Sequence, residues 1–201
     1  MPSVSKSRMA PEVRVAQRAD SDRVLALLTV AFAADPIVRW MLPEARQHVC
    51  QFPRMADLYV DLAIARGTAY CVGQFGGTAV WLPPGVQPSE ESLGALMQDA
   101  VSPDIFPEVV ELFEQLEAHH PKAPCWYLPF IGVDPAYQGQ GLGALLIAHT
   151  LAACDRDHLP AYLEATSPHN IRLYERHGFE AQAALQVGSS PPIVPMLRAA
   201  T

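Results

Sequence analysis

Apolar and polar residues alternate at Val13-Arg-Val15, a two-residue period that predicts a short strand. The period then lengthens. Val24, Leu25, Leu28 and Phe32 recur on one helical face behind Asp20 or Ser21, either of which can cap the first turn. Asp35-Pro36 ends that helix, because the residue before a proline is pushed out of helical space. Ile37 to Leu42 reads as a short apolar stretch carrying Trp40 and Met41, and Pro43-Glu44 opens a second helix reaching about Arg66. Thr68–Val72 and Thr78–Leu82 flank a glycine-containing turn as a β-hairpin, stopped by Pro83-Pro84-Gly85. From Ser89 to His120 the pattern is helical but divided by Pro103 and Pro107, with Glu108–His120 its clearest part.

The second half opens with a strand from Cys125 to Val133. Pro129 inside it has no N–H to give to a ladder, so the strand should bulge or leave a neighbour there. A helix over 142–157 turns Leu142, Leu145, Leu146 and Ala153 inward. The strand 161–166 sets Ala161, Leu163 and Ala165 on one face, with Tyr162, Glu164 and Thr166 on the other. Ser167 is placed as an N-cap with Pro168 at the first helical position, and Gly178 is the expected left-handed stop, with Phe179 folding back. Two more strands surround Ser189-Ser-Pro-Pro192. The expectation is an α/β fold, a mixed sheet of about six or seven strands flanked by helices. It occupies one domain over 11–201, with a helical insertion at about 86–120 and a mobile tail at 1–10.

Composition narrows the partners. Half the chain is hydrophobic and 17% charged, as in an ordinary domain with a real core. The net charge is −7 without a basic block, which argues against nucleic acid and weakly favours a cationic substrate. Cys50, Cys71, Cys125 and Cys154 form no C-x-x-C pair or ligand spacing, so they read as reduced thiols and no metal is expected. Neither a signal-peptide pattern nor an apolar run of the ~18 residues a span needs is present, so no membrane partner is expected and the cytoplasm is the default location.

The strongest chemical signal is Gln138-Gly139-Gln140-Gly141-Leu142-Gly143, followed by Ala144, opening a helix after an apolar strand. Unpaired N–H groups and the positive end of the helix dipole suit a phosphate there, and three glycines exceed what a turn needs. Gly139, Gly141 and Ala144 also match a dinucleotide fingerprint, with Glu164 at roughly the ribose-binding position. That fold requires the turn directly after its first strand and several βαβ units. Here Asp134–Gln138 intervenes and one unit is visible.

Gln138-x-x-Gly141-x-Gly143 resembles the R/Q-x-x-G-x-G/A signature of the GCN5-related N-acetyltransferases (GNAT). Ile131-Gly132-Val133, the Asn170 helix and Leu173–Phe179 stand around it in the order that superfamily has. Val13–Leu42, Val80–Gly85, Pro121–Pro124 and 125–179 further resemble puromycin N-acetyltransferase and its relatives, most closely from Leu163 to Asn170 and Tyr174 to Phe179. Departures lie mainly in the N-terminal half, in 86–120 and after Phe179, where an acceptor pocket would be lined.

The resemblance implies a GNAT fold whose fourth and fifth strands splay to hold acyl-CoA, with acetyl-CoA as cosubstrate. Backbone N–H groups from Gln138 through Gly139, Gln140, Gly141, Leu142 and Gly143 to Ala144 would hold the pyrophosphate. Ile131, Gly132 and Val133 would pair with the pantetheine arm and hold the thioester carbonyl. Asn170 becomes a CoA contact and Tyr174, four residues on, the general acid for the leaving thiolate. Glu164 is read as the base that deprotonates the amine, or its anchor, with a structural ion pair as the competing role. Trp40, Met41, Trp126 and Tyr127 are read equally as the lining of an aromatic acceptor pocket or as core residues, and Tyr174 packing on Phe179 is the structural alternative for that tyrosine. The cysteines lack a base, so direct attack in a ternary complex is expected. A small amine is the expected acceptor. A peptide amine, or acyl-CoA sensing without turnover, are the alternatives, in a monomer or homodimer.

Overall fold

The computed structural model describes residues 11–201, so the tail expected at 1–10 lies outside the described residues. Seven strands form one sheet: β1 (Val13–Val15), β2 (Ala69–Val72), β3 (Gly77–Leu82), β4 (Trp126–Val133), β5 (Ala161–Ala165), β6 (Glu180–Ala181) and β7 (Val194–Arg198). Their order is β1-β2-β3-β4-β5-β7-β6. Every neighbouring pair is antiparallel except β4–β5, which is parallel. That mixed, helix-flanked sheet is the expected fold class.

The helices divide between its two faces. On one lie α1 (Ser21–Ala31), α2 (Pro36–Met41), α3 (Ala45–Arg66), α4 (Glu90–Ala100) and α5 (Phe106–His119), burying Leu28, Val38, Phe52, Met97 and Leu112 against Cys71, Val80 and Leu82. On the other lie α6 (Leu142–Asp157) and α7 (Pro168–Glu175), with Leu146, Leu151 and Tyr174 against Trp81, Leu128 and Leu163. Each such fully buried side chain contributes roughly 1.5–3 kcal/mol of transfer free energy.

Three local expectations are corrected. Ile37–Leu42 is not merely an apolar stretch. Asp35 Oδ1 accepts a hydrogen bond from Val38 N at 3.0 Å, and Pro36 sits at the first helical position, so the Asp-Pro pair opens α2. On α6 the buried residues are Leu142, Leu146, Ile147, Thr150, Leu151 and Cys154, whereas Leu145 is 37% exposed. Beyond Leu142 the true stripe recurs at spacings of three and four residues, which turns Leu145 outward and leaves Ala153 half-buried. Ser167 has the extended N-cap backbone but makes no side-chain capping bond.

Two features of β4 shape the site. Its pairing with β3 shifts register: Val80 faces Phe130 while Leu82 faces Tyr127, so two steps on β3 match three on β4. The extra residue at Leu128-Pro129 reverses the alternation of faces. Tyr127 and Phe130 pack on the α1–α5 side, and Leu128 and Ile131 on the α6–α7 side. Pairing with β5 is confined to Trp126–Ala161 and Tyr127–Tyr162, while β3 stays with β4 as far as Val133 and β7 with β5 as far as Ala165. The two parallel strands therefore part beyond Tyr127, opening a V. Gly132 sits on its β4 arm under α1; a Cβ there would stand 2.8 Å from Ala31 Cβ.

Candidate active site

The glycine turn is held from behind by β2–β3. Asp134 N donates to Gly76 O at 3.0 Å, and Asp134 Oδ1 accepts from Ala136 N at 2.8 Å, folding Pro135–Tyr137 into a single 3-10 turn. The Gln138 side chain turns back, donating from Nε2 to Val133 O at 3.2 Å, so its role in the turn is partly structural. Gly139 (φ 73°) and Gly141 (φ 81°) take left-handed backbone, which explains glycine at both. A Cβ at either would meet nothing within 4 Å, so the surface above this helix start is open. Leu145 N donates to Gly141 O at 3.0 Å, while the amides of Leu142, Gly143 and Ala144 precede the first intrahelical bond. Open space, a bare helix start and a neighbouring strand V fit a diphosphate with an extended arm.

Gly143 brings the two halves of the donor side together. Its Cα lies where a Cβ would be 3.5 Å from Leu173 Cδ2 and 3.8 Å from Val133 Cγ2, so the start of α6, the end of β4 and the middle of α7 meet there. Asn170 and Tyr174 share one face of α7, Asn170 half-buried and Tyr174 5% exposed. The helix closes as expected: Phe179 N donates to Tyr174 O and Gly178 N to Glu175 O, with Gly178 at φ 85°. Tyr174 does pack edge-on against Phe179, centroids 6.1 Å apart. Burial and the charge of Asp35 push its hydroxyl above the usual tyrosine range.

Across the sheet, Glu164 stands among aromatic residues. Tyr127 donates from its hydroxyl to Glu164 Oε2 at 2.8 Å. Burial pushes the half-buried Glu164 carboxyl up to about 7, against the pull of the Tyr127 and Tyr162 hydroxyls. None of the ion pairs among the described residues involves it, so the competing role as a structural ion pair finds no support in the geometry. Thr166, two residues on, donates to Asp35 Oδ2. Burial likewise raises Asp35, although its bonds to Thr166 and Val38 pull the other way.

The aromatic set named from the sequence divides. Tyr127 faces Glu164, whereas Trp126, its neighbour on the strand, packs on the opposite face. Met41 is core. Trp40 Nε1 donates to Ser189 Oγ at 3.0 Å, and Ser189 donates from both N and Oγ to Glu108 at 2.7 Å. The loop between β6 and β7 is thereby tied to α2 and α5, with Leu185, Val187 and Ile193 packed into the same cluster as Tyr127 and Phe130. Burial pushes the thiols of Cys71 and Cys125 up to about 11 and that of Cys154 to about 12, which makes them poor nucleophiles.

Asp35 and Tyr59 were missed in the sequence. For Asp35 the signal existed: Asp-Pro ahead of an apolar run has the same grammar as Ser167-Pro168. Tyr59, whose hydroxyl feels the Glu164 charge, lies mid-helix on α3 and carries no local signal.

The family model described as the Acetyltransferase (GNAT) family matches residues 108–179, which hold β4, the glycine turn, Glu164 and α7. An uncharacterized N-acetyltransferase of Schizosaccharomyces pombe is 27% identical over 193 residues, covering 88% of this chain and 77% of that one. A crystal structure of histone acetyltransferase HPA2 and related acetyltransferase from Corynebacterium glutamicum is 25% identical, with a TM-score of 0.71 over 96% of this chain and 98% of that one. A Drosophila melanogaster polyamine N-acetyltransferase shares the fold, with a TM-score of 0.66 at 18% identity over 94% of this chain and 100% of that one. The chain has the GNAT fold, and its residues 108–179 match the model of the GNAT acetyltransferase family.

Proposed function

We propose that the protein transfers an acetyl group from acetyl-CoA to the amine of a small molecule, a puromycin-like compound among the candidates. The observation that carries this reading is the tied-down β6–β7 loop on the Glu164 side of the sheet. Ser189, bridged to Trp40 and Glu108, ties that loop to α2 and α5, and Leu185, Val187 and Ile193 join the same apolar cluster as Tyr127, whereas a peptide would need an open groove.

Acetyl-CoA supplies an activated acetyl thioester. The amides from Gly139 to Ala144 hold its diphosphate, and the free edge of Ile131–Val133 aligns its arm within the V. Asn170 adds a contact from α7. An ammonium has no lone pair, so Glu164 takes its proton first, and a carboxyl near 7 divides its time between accepting and releasing one at neutral pH. Tyr174, kept protonated by burial, presents its O–H to the departing sulfur. Its raised affinity for the proton makes it a better hydrogen-bond donor at neutral pH than a ready source of H⁺, so the match to a thiol is looser than tyrosine's ordinary value implies.

The test is a panel of free amines, puromycin included, and amine-bearing peptides, with acetyl-CoA and a thiol readout. Thiol release with a free amine supports the reading. Release with peptides alone overturns the small-molecule part, and acetyl-CoA binding without release for any amine overturns catalysis in favour of a sensor.

A further inference from the structure

Resting on Glu164 as the base, we propose that Tyr127 is its positioning residue: the Tyr127 hydroxyl fixes Oε2 of the carboxylate and so turns Oε1 toward the acceptor. Tyr127 belongs to the last register pair before β4 and β5 part, opposite Tyr162. Glu164 lies two residues further along β5, beyond the point where ladder pairing with β4 stops. A tyrosine on β4 is long enough to span that gap, and its hydroxyl reaches Oε2 at 2.8 Å.

The ring is packed against its neighbours. His120 packs edge-on against Tyr127 (5.4 Å) and against Tyr162 (4.7 Å), and the two tyrosine rings lie 6.0 Å apart. Tyr127 and His120 also line a cleft of about 920 Å³ between Pro83–Gln87, the end of α5 and Pro121–Cys125. Burial pushes the Tyr127 hydroxyl well above the ordinary value, so it remains a donor throughout the working range.

Other groups face Glu164: Tyr59 from α3, Glu117 from α5, Cys125 ahead of β4 and Tyr162 on β5, with the His120 ring behind the tyrosines. Glu117 is an acidic neighbour that favours the protonated form. Among the described residues, Tyr127 is the one whose hydrogen bond to the carboxylate meets full bond geometry. A donor on a carboxylate stabilises its ionised form, so losing it raises the proton affinity.

The test is an NMR titration of protein labelled with ¹³C-glutamate. The Glu164 carboxyl signal is assigned by its loss in Glu164→Gln. Tyr127→Phe keeps the ring packed and removes only the donor; its Glu164 midpoint is expected to rise by about one pH unit. Tyr59→Phe is expected to move it by less than a third of that. With an acceptor amine, the acid limb of the pH–rate profile should move up with Tyr127→Phe, and activity should recover at high pH, which a loss of packing would not produce. An unmoved midpoint, or a loss that persists at high pH, overturns the proposal. If Glu164→Gln keeps the acid limb, the base reading falls. If it loses the limb while Tyr127→Phe leaves it in place, the positioning role alone falls.

Discussion

Thr166, just past the end of β5, donates its hydroxyl hydrogen bond to Asp35, which lies 131 residues earlier and caps α2. One carboxylate therefore starts a helix and ties the α1–α2 connection to the strand that carries Glu164. The charge of Asp35 also reaches Tyr174 on the far side of β5. Asp35 thus joins elements that supply both the proposed base and the proposed hydrogen-bond donor to the leaving sulfur.

Asp35→Ala removes the cap and leaves Thr166 without its acceptor. A loss of about 1–2 kcal/mol is expected in urea unfolding, with Asp35→Asn recovering most of it because its oxygen can still cap. Equal stability in the alanine variant would mean that neither bond contributes.

Glu164 should make stability depend on pH. Its folded carboxyl, at about 7, lies above the ordinary 4.5, so the folded state holds the proton more tightly than the unfolded chain. Its contribution is fully present below the ordinary value and is lost as pH rises through 7. Between pH 5 and 8 the wild type should lose up to roughly 3 kcal/mol relative to Glu164→Gln, less whatever solvent screening removes. Urea unfolding of both proteins at the two pH values measures the difference, and parallel pH profiles would contradict a buried, proton-holding carboxyl.

Tyr174→Phe preserves the packing on Phe179 and deletes the donor. Turnover should fall by about 10²–10⁴-fold, with acetyl-CoA affinity, read by calorimetry, changed far less. Unchanged turnover would reduce Tyr174 to a core residue.

Two glycines separate binding from folding. Gly141→Glu places a negative side chain into open space above the helix start, on a left-handed backbone costing about 1–2 kcal/mol. The protein should stay folded and lose acetyl-CoA binding. Gly132→Ala, whose Cβ would press on Ala31, should instead lower stability by about 1–3 kcal/mol. Thermal melts with and without acetyl-CoA distinguish the two. Retained binding in Gly141→Glu would leave that turn a structural feature.

Much of this was legible along the chain. Pro129 announced the β4 irregularity, Gly178 the end of α7, and Gly139 and Gly141 the left-handed turn, because each depends on backbone conformations that a single residue type permits or forbids. The alternation of β5 put Tyr162, Glu164 and Thr166 on one face for the same local reason. Errors came where neighbours competed locally: Asp35-Pro36 serves equally as a stop and as a start, and Leu145 sits beside the true stripe of α6.

By itself, then, the chain determined its elements, its strand irregularity and the left-handed glycine turn, all governed by residues within a few positions of one another. Tertiary structure alone decided that Tyr127 reaches Glu164, that Asp35 meets Thr166, and that Ser189 bridges Trp40 and Glu108. Those contacts depend on strand register, a one-residue bulge and the reach of side chains far apart in sequence. No local period encodes them.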